Sequence, residues 1–219
     1  MTFRLICCLA ALLIGACNDV SGSKEELTDY YHQTFQTHLA KQNSINDAPL
    51  VFLGDSLTES MPVSSVFENA INYGIKQDTT YGLLLRVQEY TALEKARGIV
   101  VAIGINDFWR GRTNRDLVSN IEKIIEALPD NKPIIVYGLL PVDENQGWHG
   151  WNKRIVIVNQ ELEKSLNQKH VNFFDIGNEL KGKDGNLAPK FHVGDGVHLS
   201  NDGYRVWLTH LKRAISQGN

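Results

Sequence analysis

Short runs of apolar residues recur along the chain, and the segments between them carry apolar residues at helical spacing. The runs occupy residues 50–53, 70–73, 99–103, 134–137 and 171–174. Each run is continuous rather than alternating with polar residues, which is typical of strands that are covered on both faces. The pattern therefore predicts five strands of a parallel sheet that lies between helices.

The segments between the runs predict amphipathic helices. Leu117, Ile121 and Ile124 recur at helical spacing behind Thr113, which forms an N-terminal capping pattern with Asp116. Further helices are predicted over residues 24–42, around Ile155, Val158 and Leu162, and behind a Ser200 cap through Tyr204, Trp207, Leu208, Leu211 and Ile215. Alternating strands and helices predict an α/β domain of three layers, α/β/α. Right-handed crossovers place the segments after the strands at one edge of the sheet, where such domains bind ligands.

The first residues form an apolar segment outside this pattern. It comprises the thirteen residues from 5 to 17 and directly follows the single basic residue Arg4. A membrane-spanning helix needs about 20 residues, so the segment suits a secretory signal.

The end of this segment, Leu-Ile-Gly-Ala-Cys at residues 13–17, resembles the lipobox of bacterial lipoproteins. The resemblance implies a signal peptide over residues 1–16 and a lipidated Cys17 with a tether over 17–24. The protein is then expected to be exported and held at a membrane by this anchor, facing the periplasm or the cell surface. A plain cleaved signal, giving a soluble secreted or periplasmic protein, is the alternative.

Composition narrows the classes of function. With 22 Lys and Arg against 25 Asp and Glu the net charge is −3, so the chain lacks the excess of positive charge that would indicate a nucleic-acid partner. All three Cys lie at or before position 17, so residues 25–219 have neither a disulfide nor a thiol nucleophile. The length of that segment suits one globular domain.

Four short motifs lie at the predicted ligand-binding edge. Ser56 stands in Gly-Asp-Ser-Leu after the first run, Gly74 follows the second, and Asn106 stands in Gly-Ile-Asn-Asp after the third. Asp195 and His198 precede the last helix. Each motif alone reads equally well as a turn or a helix start, with Asp55 and Asp107 bracing the local backbone.

Together these residues supply what acyl transfer requires. A serine hydroxyl needs an adjacent base, which His198 can provide, and Asp195 can fix the imidazole tautomer. The oxyanion needs donors already in place, and the candidates are the backbone N–H groups of Ser56 and Gly74 and the amide of Asn106.

In this order the motifs resemble those of the SGNH, or GDSL, hydrolase superfamily, over roughly residues 50–211. The surrounding Asp78-Thr79-Thr80 and His198-Leu199-Ser200 look like the branch of platelet-activating-factor acetylhydrolases and lysophospholipase-type esterases. The resemblance implies a flavodoxin-like sheet of five parallel strands and no cofactor. It also implies a serine esterase with a Ser56–His198–Asp195 triad. Relatives often have small residues where Lys76 and Gln77 stand here.

Several residues allow two interpretations. His192 is a competing base, and His192, Asp195 and His198 also read as metal ligands. The pocket candidates are Lys76, Trp109, Trp148 and Trp151. The tryptophans either form an aromatic wall or pack beneath a loop, and Arg110 can contact an anionic group.

The sequence therefore predicts an enzyme that hydrolyses carboxylic esters, either O-acetyl esters of glycans or acyl esters of lipids. Two alternatives remain: transfer of the acyl group to a sugar or lipid hydroxyl, and a glycan- or lipid-binding module without turnover. The sequence does not determine the oligomeric state.

Overall fold

The computed structural model describes residues 27–42, 44, 49–167 and 171–217. The predicted signal peptide, Cys17 and the tether lie outside these ranges, so they stay predictions. Among the described residues, none of the helices has the length and apolar character needed to cross a membrane.

Five parallel strands form one sheet in the order β2-β1-β3-β4-β5, with helices on both sides. The strands are β1 Leu50–Gly54, β2 Ala70–Gly74, β3 Gly98–Ala102, β4 Ile134–Tyr137 and β5 Val171–Phe174. The predicted three-layer fold is confirmed. The strand bounds differ slightly, since β1 and β2 each run one residue further and β3 lies one residue earlier than its apolar run.

The three central strands of the sheet are buried. Every residue of β1, β3 and β4 is buried, which explains why these strands are continuously apolar. Around the sheet lie α1 Asp29–Gln42, α2 Ser56–Glu59, α3 Thr80–Arg86, α4 Ala92–Lys95, α5 Ile105–Trp109, α6 Asn114–Glu126, α7 Trp151–Leu166, α8 Gly177–Leu180 and α9 Asn201–Gln217.

Two of the predicted helix starts are confirmed by their caps. Thr113 Oγ1 accepts a hydrogen bond from Asp116 N at 3.1 Å, and Ser200 Oγ accepts one from Gly203 N at 3.3 Å. These side chains satisfy main-chain donors that have no partner within the first helical turn.

The first helix starts later than the sequence predicts. It begins at Asp29 rather than at residue 24, because Thr28 Oγ1 accepts from Tyr31 N at 3.1 Å and so caps the first turn. Residues 24–26 lie outside the described ranges, and Leu27 is not helical.

The strand order reverses beside β1. The first strand pairs with β2 on one side and β3 on the other, so the chain leaves β1 in one direction and returns past it. A crevice opens at such a reversal, beyond the carboxyl ends of the strands. Ser56 follows β1 and Asn106 follows β3, so both lie at this crevice.

Candidate active site

The turn that carries Ser56 is built for a sharp change of direction. Ser56 is the first residue of α2, and Asp55 Oδ1 accepts from Leu57 N at 2.9 Å. A Cβ on Gly54 would lie 2.1 Å from Thr58 Oγ1 and 2.2 Å from the Ala102 carbonyl oxygen, so only glycine fits there. Asp55 braces the turn, and its complete burial raises the pKa of its carboxyl group to about 7.

Ser56, His198 and Asp195 form one line of hydrogen bonds. Ser56 Oγ lies 2.9 Å from His198 Nε2, although the two residues are 142 positions apart. His198 Nδ1 lies 2.6 Å from Asp195 Oδ2. With Nδ1 protonated and donating to the carboxylate, Nε2 presents a lone pair to the serine hydroxyl.

The Asp195 carboxylate is held in its ionised form. Partial burial alone would raise the pKa of Asp195, but hydrogen bonds outweigh it and place the pKa below its ordinary value. The donors are the main-chain N–H groups of Val197 and His198, both at 2.9 Å from Oδ1, and the His198 ring.

Asn106 lies beside Ser56 in the same cavity. Its Nδ2 donates to the Asp78 carbonyl oxygen at 2.9 Å, which fixes the orientation of the amide. An amide nitrogen carries two hydrogens, so one remains for a ligand. Gly104, at a φ of +133° that favours glycine, turns the chain into the short helix that carries Asn106.

The structure does not bring Gly74 to the place that the sequence predicts. The Gly74 N–H donates to Asn72 Oδ1 at 2.9 Å, and Gly74 is absent from the cavity lining. Packing explains this glycine instead, because a Cβ there would lie 2.2 Å from the backbone nitrogen of Glu59.

The following turn takes the position beside Ser56. Lys76 and Gln77 both line the cavity, and Gln77 has a left-handed φ of +64°. Within the described chain, neither main-chain N–H of this turn has an acceptor. The sequence contained a signal for this turn, because Lys76 and Gln77 stand at positions where relatives often have small residues.

A buried ion pair supports this turn from behind. Arg86 Nε and Nη2 donate to Asp78 Oδ2 at 2.9 and 2.8 Å, and both side chains are fully buried. Arg86 also donates to the carbonyl oxygens of Tyr73 and Gly54 at 3.0 and 3.1 Å. Burial alone would lower the pKa of Arg86, but Asp78 and Tyr90 keep it above its ordinary value.

Asp107 serves two segments. Its carboxylate accepts from the Thr80 N–H at 2.9 Å and the Thr80 hydroxyl at 2.6 Å, at the first turn of α3. It also pairs with Arg112 in the segment that follows, at 2.6 Å. The sequence predicted that Asp107 braces the local backbone, and it did not predict the contact with Thr80.

His192 lies next to the line of hydrogen bonds from Ser56 to Asp195 but is not part of it. Its Nδ1 accepts from the N–H groups of Gly194 and Gly196 at 3.0 and 3.1 Å, so this nitrogen is unprotonated. Its Nε2 lies 3.4 Å from Asp143 Oδ2. His192 is buried and absent from the cavity lining, so it does not lie in reach of Ser56 as a competing base.

The metal-ligand interpretation finds no support in the geometry. In the ranges that the structure describes, no three His, Cys, Asp or Glu side chains converge as a metal site. Both nitrogens of His198 and the Nδ1 of His192 face protein partners instead.

Three tryptophans form one wall of the cavity, which measures about 280 Å³. The ring centroids of Trp148 lie 5.6 Å from Trp109 and 4.8 Å from Trp151. Trp148 Nε1 also donates to the Asp195 carbonyl oxygen at 2.8 Å, and Trp151 packs against Phe108. The wall therefore both lines the cavity and supports the turn that carries Asp195.

Comparison with known proteins identifies the family. Residues 52–206 match the GDSL-like lipase/acylhydrolase family. The chain belongs to this family. Its members share a hydrolase fold, and the match spans every motif predicted to carry chemistry, from Ser56 to His198.

Curated relatives extend the comparison. N-acylneuraminate cytidylyltransferases from strains of Streptococcus agalactiae are 29% and 28% identical to this GDSL-like chain over 179 residues. The match covers 76% of the chain but only 40% of each relative. The chain thus spans well under half the length of the curated relatives it matches.

Solved structures share the fold of this family. A candidate platelet activating factor from Streptococcus pneumonia has a TM-score of 0.78 at 23% identity, covering 84% of this chain and 92% of its own. A GDSL-like lipase from Bacteroides thetaiotaomicron has a TM-score of 0.73 at 21% identity, covering 84% and 98%. An acetyl-xylooligosaccharide esterase from Geobacillus has a TM-score of 0.61 at 20% identity, covering 77% and 95%.

Proposed function

We propose that the protein is a serine esterase that hydrolyses small acyl esters through an acyl-enzyme on Ser56. The observation that carries this proposal is the line of hydrogen bonds from Ser56 through His198 to Asp195 at the wall of an open cavity. Nucleophile, base and orienting carboxylate lie within hydrogen-bond reach of one another, as nucleophilic catalysis requires.

In the first half of the reaction, Ser56 Oγ attacks the ester carbonyl carbon while His198 Nε2 accepts the hydroxyl proton. The carbon–oxygen bond to the alcohol then breaks, and His198 returns the proton to the leaving alcohol. In the second half, water attacks the acyl-enzyme and gives a proton to His198. Ser56 leaves with that proton, and a carboxylic acid is released.

The oxyanion is stabilised by donors from three segments. The Ser56 N–H begins α2 and has no helical partner, and the free hydrogen of the Asn106 amide lies beside it. In place of Gly74, we propose a main-chain N–H of the turn at Lys76 and Gln77, since neither is used elsewhere in the described chain.

The cavity favours a short acyl group on a carbohydrate. Its volume of about 280 Å³ lies just below the roughly 300 Å³ at which the usual range of small-molecule sites begins. Tryptophan rings offer flat faces against which a sugar ring can pack. The curated relatives are named for N-acylneuraminate, and one structural neighbour for acetyl-xylooligosaccharides, which supports an O-acetyl ester on a sugar as the substrate.

Replacement of the nucleophile tests the proposal. We expect Ser56→Ala to lower kcat/KM for 4-nitrophenyl acetate by at least about 10³-fold, because the acyl-enzyme cannot form. A fluorophosphonate probe is expected to label the wild-type protein and not Ser56→Ala. The exposed Ser65→Ala is the control and should retain both properties.

Three results would contradict hydrolysis at Ser56. Undiminished turnover by Ser56→Ala would place the chemistry elsewhere, and an unlabelled, inactive wild type would indicate a binding module. Acylation of an added sugar without release of free acid would indicate a transferase.

A further inference from the structure

Two basic side chains on the cavity wall have no partner among the residues that the structure describes. Lys76 follows β2 and Arg110 follows α5, and both are exposed and line the same cavity as Ser56. Within the described residues, neither side chain makes a hydrogen bond or an ion pair. The acidic residue in the lining is Asp195, whose carboxylate is already bound by His198 and two main-chain N–H groups.

Other arginines near the cavity contrast with this pair. Arg112 binds Asp107, and Arg154 lies over the Phe108 ring at 3.7 Å and donates to Asn114. These side chains have structural partners, whereas Lys76 and Arg110 leave uncompensated positive charge at the mouth of the cavity. Such charge raises the local concentration of anions and orients them.

We propose that Lys76 and Arg110 bind a carboxylate on the sugar that carries the ester, so that the substrate is an O-acyl ester of an acidic sugar. This inference rests on the proposed function and deepens it. A guanidinium and an ammonium both donate charge-assisted hydrogen bonds to a carboxylate. Trp109, which is 70% exposed beside Arg110, offers a face for the sugar ring.

A phosphate on a lipid is the other source of the same charge. Lys76, Gln77 and Asn106 give the cavity a polar wall, which suits the hydroxyl groups of a sugar better than a long acyl chain. The observations therefore favour a compact acidic sugar over a lysophospholipid.

A matched pair of esters isolates the charge. Mono-O-acetylated N-acetylneuraminic acid and its methyl ester carry the same acetyl ester and differ in the charge of the carboxyl group. We expect the wild-type protein to have a kcat/KM at least about fivefold higher for the free acid, mostly through KM. Added salt should reduce this preference, because exposed charges are screened.

The variants Lys76→Gln and Arg110→Gln are each expected to reduce the ratio of kcat/KM for the acid to that for its methyl ester about threefold. The control is Lys123→Gln, an exposed lysine on α6 outside the cavity lining, which should leave the ratio unchanged. Urea unfolding of each variant separates loss of binding from loss of the fold.

The outcomes separate the inference from the proposed function. Hydrolysis of 4-nitrophenyl acetate without preference for the acid would overturn the inference and leave the esterase standing. No hydrolysis of any ester, with no fluorophosphonate label on Ser56, would overturn both. A larger effect of the two variants on a lysophosphatidic acid than on the sugar acid would assign the charge to a phosphate and overturn the acidic sugar.

Discussion

The imidazole of His192 holds the turn that presents Asp195 and His198. Its Nδ1 accepts two main-chain hydrogen bonds, from Gly194 and Gly196, on either side of Asp195. The loss of this acceptor would leave two N–H groups unpaired and free the turn to move. We therefore propose that His192 is a positioning residue, which acts through the proposed triad rather than on the substrate.

We expect His192→Leu to lower kcat about 10²-fold, because a displacement of about 1 Å at the triad costs that much. His192→Asn keeps an acceptor near the two N–H groups and should recover most of the loss. The acid limb of the pH profile should keep its position in His192→Asn, because His198 remains the base. The measurement is kcat for 4-nitrophenyl acetate from pH 5 to 9, with melting temperature as the folding check. An asparagine variant as inactive as His198→Asn would assign the base to His192.

Individual residues also show which parts of the candidate site could not be predicted from the sequence. Ser56, Asn106 and His198 could be predicted to meet, because each follows or faces the carboxyl ends of parallel strands. Gly74 could not be placed correctly, because nothing in the sequence shows that Asn72 Oδ1 occupies its N–H. The tautomer of His192 depends on loop geometry, so it could not be predicted from the sequence either.

At the scale of elements, one guanidinium joins the ends of two strands to α3. Arg86, on α3, donates to the carbonyl oxygens of Gly54 in β1 and Tyr73 in β2, and to Asp78 in the turn between β2 and α3. The Asp78 carbonyl oxygen in turn accepts from Asn106. The ion pair thereby links the main chain behind the nucleophile to the amide of the candidate oxyanion hole.

We expect Arg86→Met to destabilise the protein by about 3–5 kcal/mol, because it leaves the Asp78 carboxylate buried without its cation. The double variant Arg86→Met/Asp78→Asn should lose less than the sum of the single variants, since the unpaired charge is gone. Urea unfolding of all four proteins in this cycle measures the coupling. Additive losses would show that the pair does not act as a unit.

The docking of α1 gives the second prediction at this scale. His38 packs against Tyr73 at 4.9 Å between ring centroids, and its Nδ1 lies 3.0 Å from the Tyr90 hydroxyl. Burial, followed by the charges of Arg86 and Lys41, lowers the pKa of His38 to about 4. The folded protein therefore binds fewer protons at His38 than the unfolded chain between about pH 4 and 6.5.

The stability contributed by neutral His38 is thus present above about pH 6.5 and is lost as the pH falls towards 4. We expect the loss to be on the order of 1–2 kcal/mol. In His38→Gln this component should vanish, so the difference in unfolding free energy between wild type and variant should change with pH. His32→Gln, at an exposed histidine on the same helix, is the control for the loss of a histidine from α1. A difference for His38→Gln that stays constant from pH 7 to 4.5 would contradict the assignment.

For the whole molecule, the sequence predicted the architecture well because burial dominates it. Apolar runs identified all five strands, although β2 and β5 each contain an asparagine and are only partly buried. The alternation with helices predicted the layers and the parallel sheet. The cavity could not be predicted, because its wall comes from segments whose relative placement depends on packing. Trp109 follows β3, whereas Trp148 and Trp151 follow β4.

We also propose that the whole molecule is exported and held at a membrane through Cys17. Cys17→Ser should abolish labelling by an alkynyl palmitate and move the protein from the membrane to the soluble fraction, because the acyl chains can no longer be attached. Cys8→Ser, in the same apolar segment, is the control and should keep both properties. Wild-type protein that is unlabelled and soluble outside the cytoplasm would indicate a plain cleaved signal.

The contrast between the buried residues beneath the cavity and the exposed residues at its mouth bears on enzyme engineering. Gly54, Asp78 and Arg86 are buried, and Arg86 is hydrogen-bonded to the other two. Most variants at these three positions are therefore expected not to fold. The side chains of Lys76, Trp109 and Arg110 are exposed, and within the described residues none of them is hydrogen-bonded to Gly54, Asp78 or Arg86. Directed evolution towards new esters should therefore randomise these three codons first, where tolerance for substitution and influence on selectivity coincide.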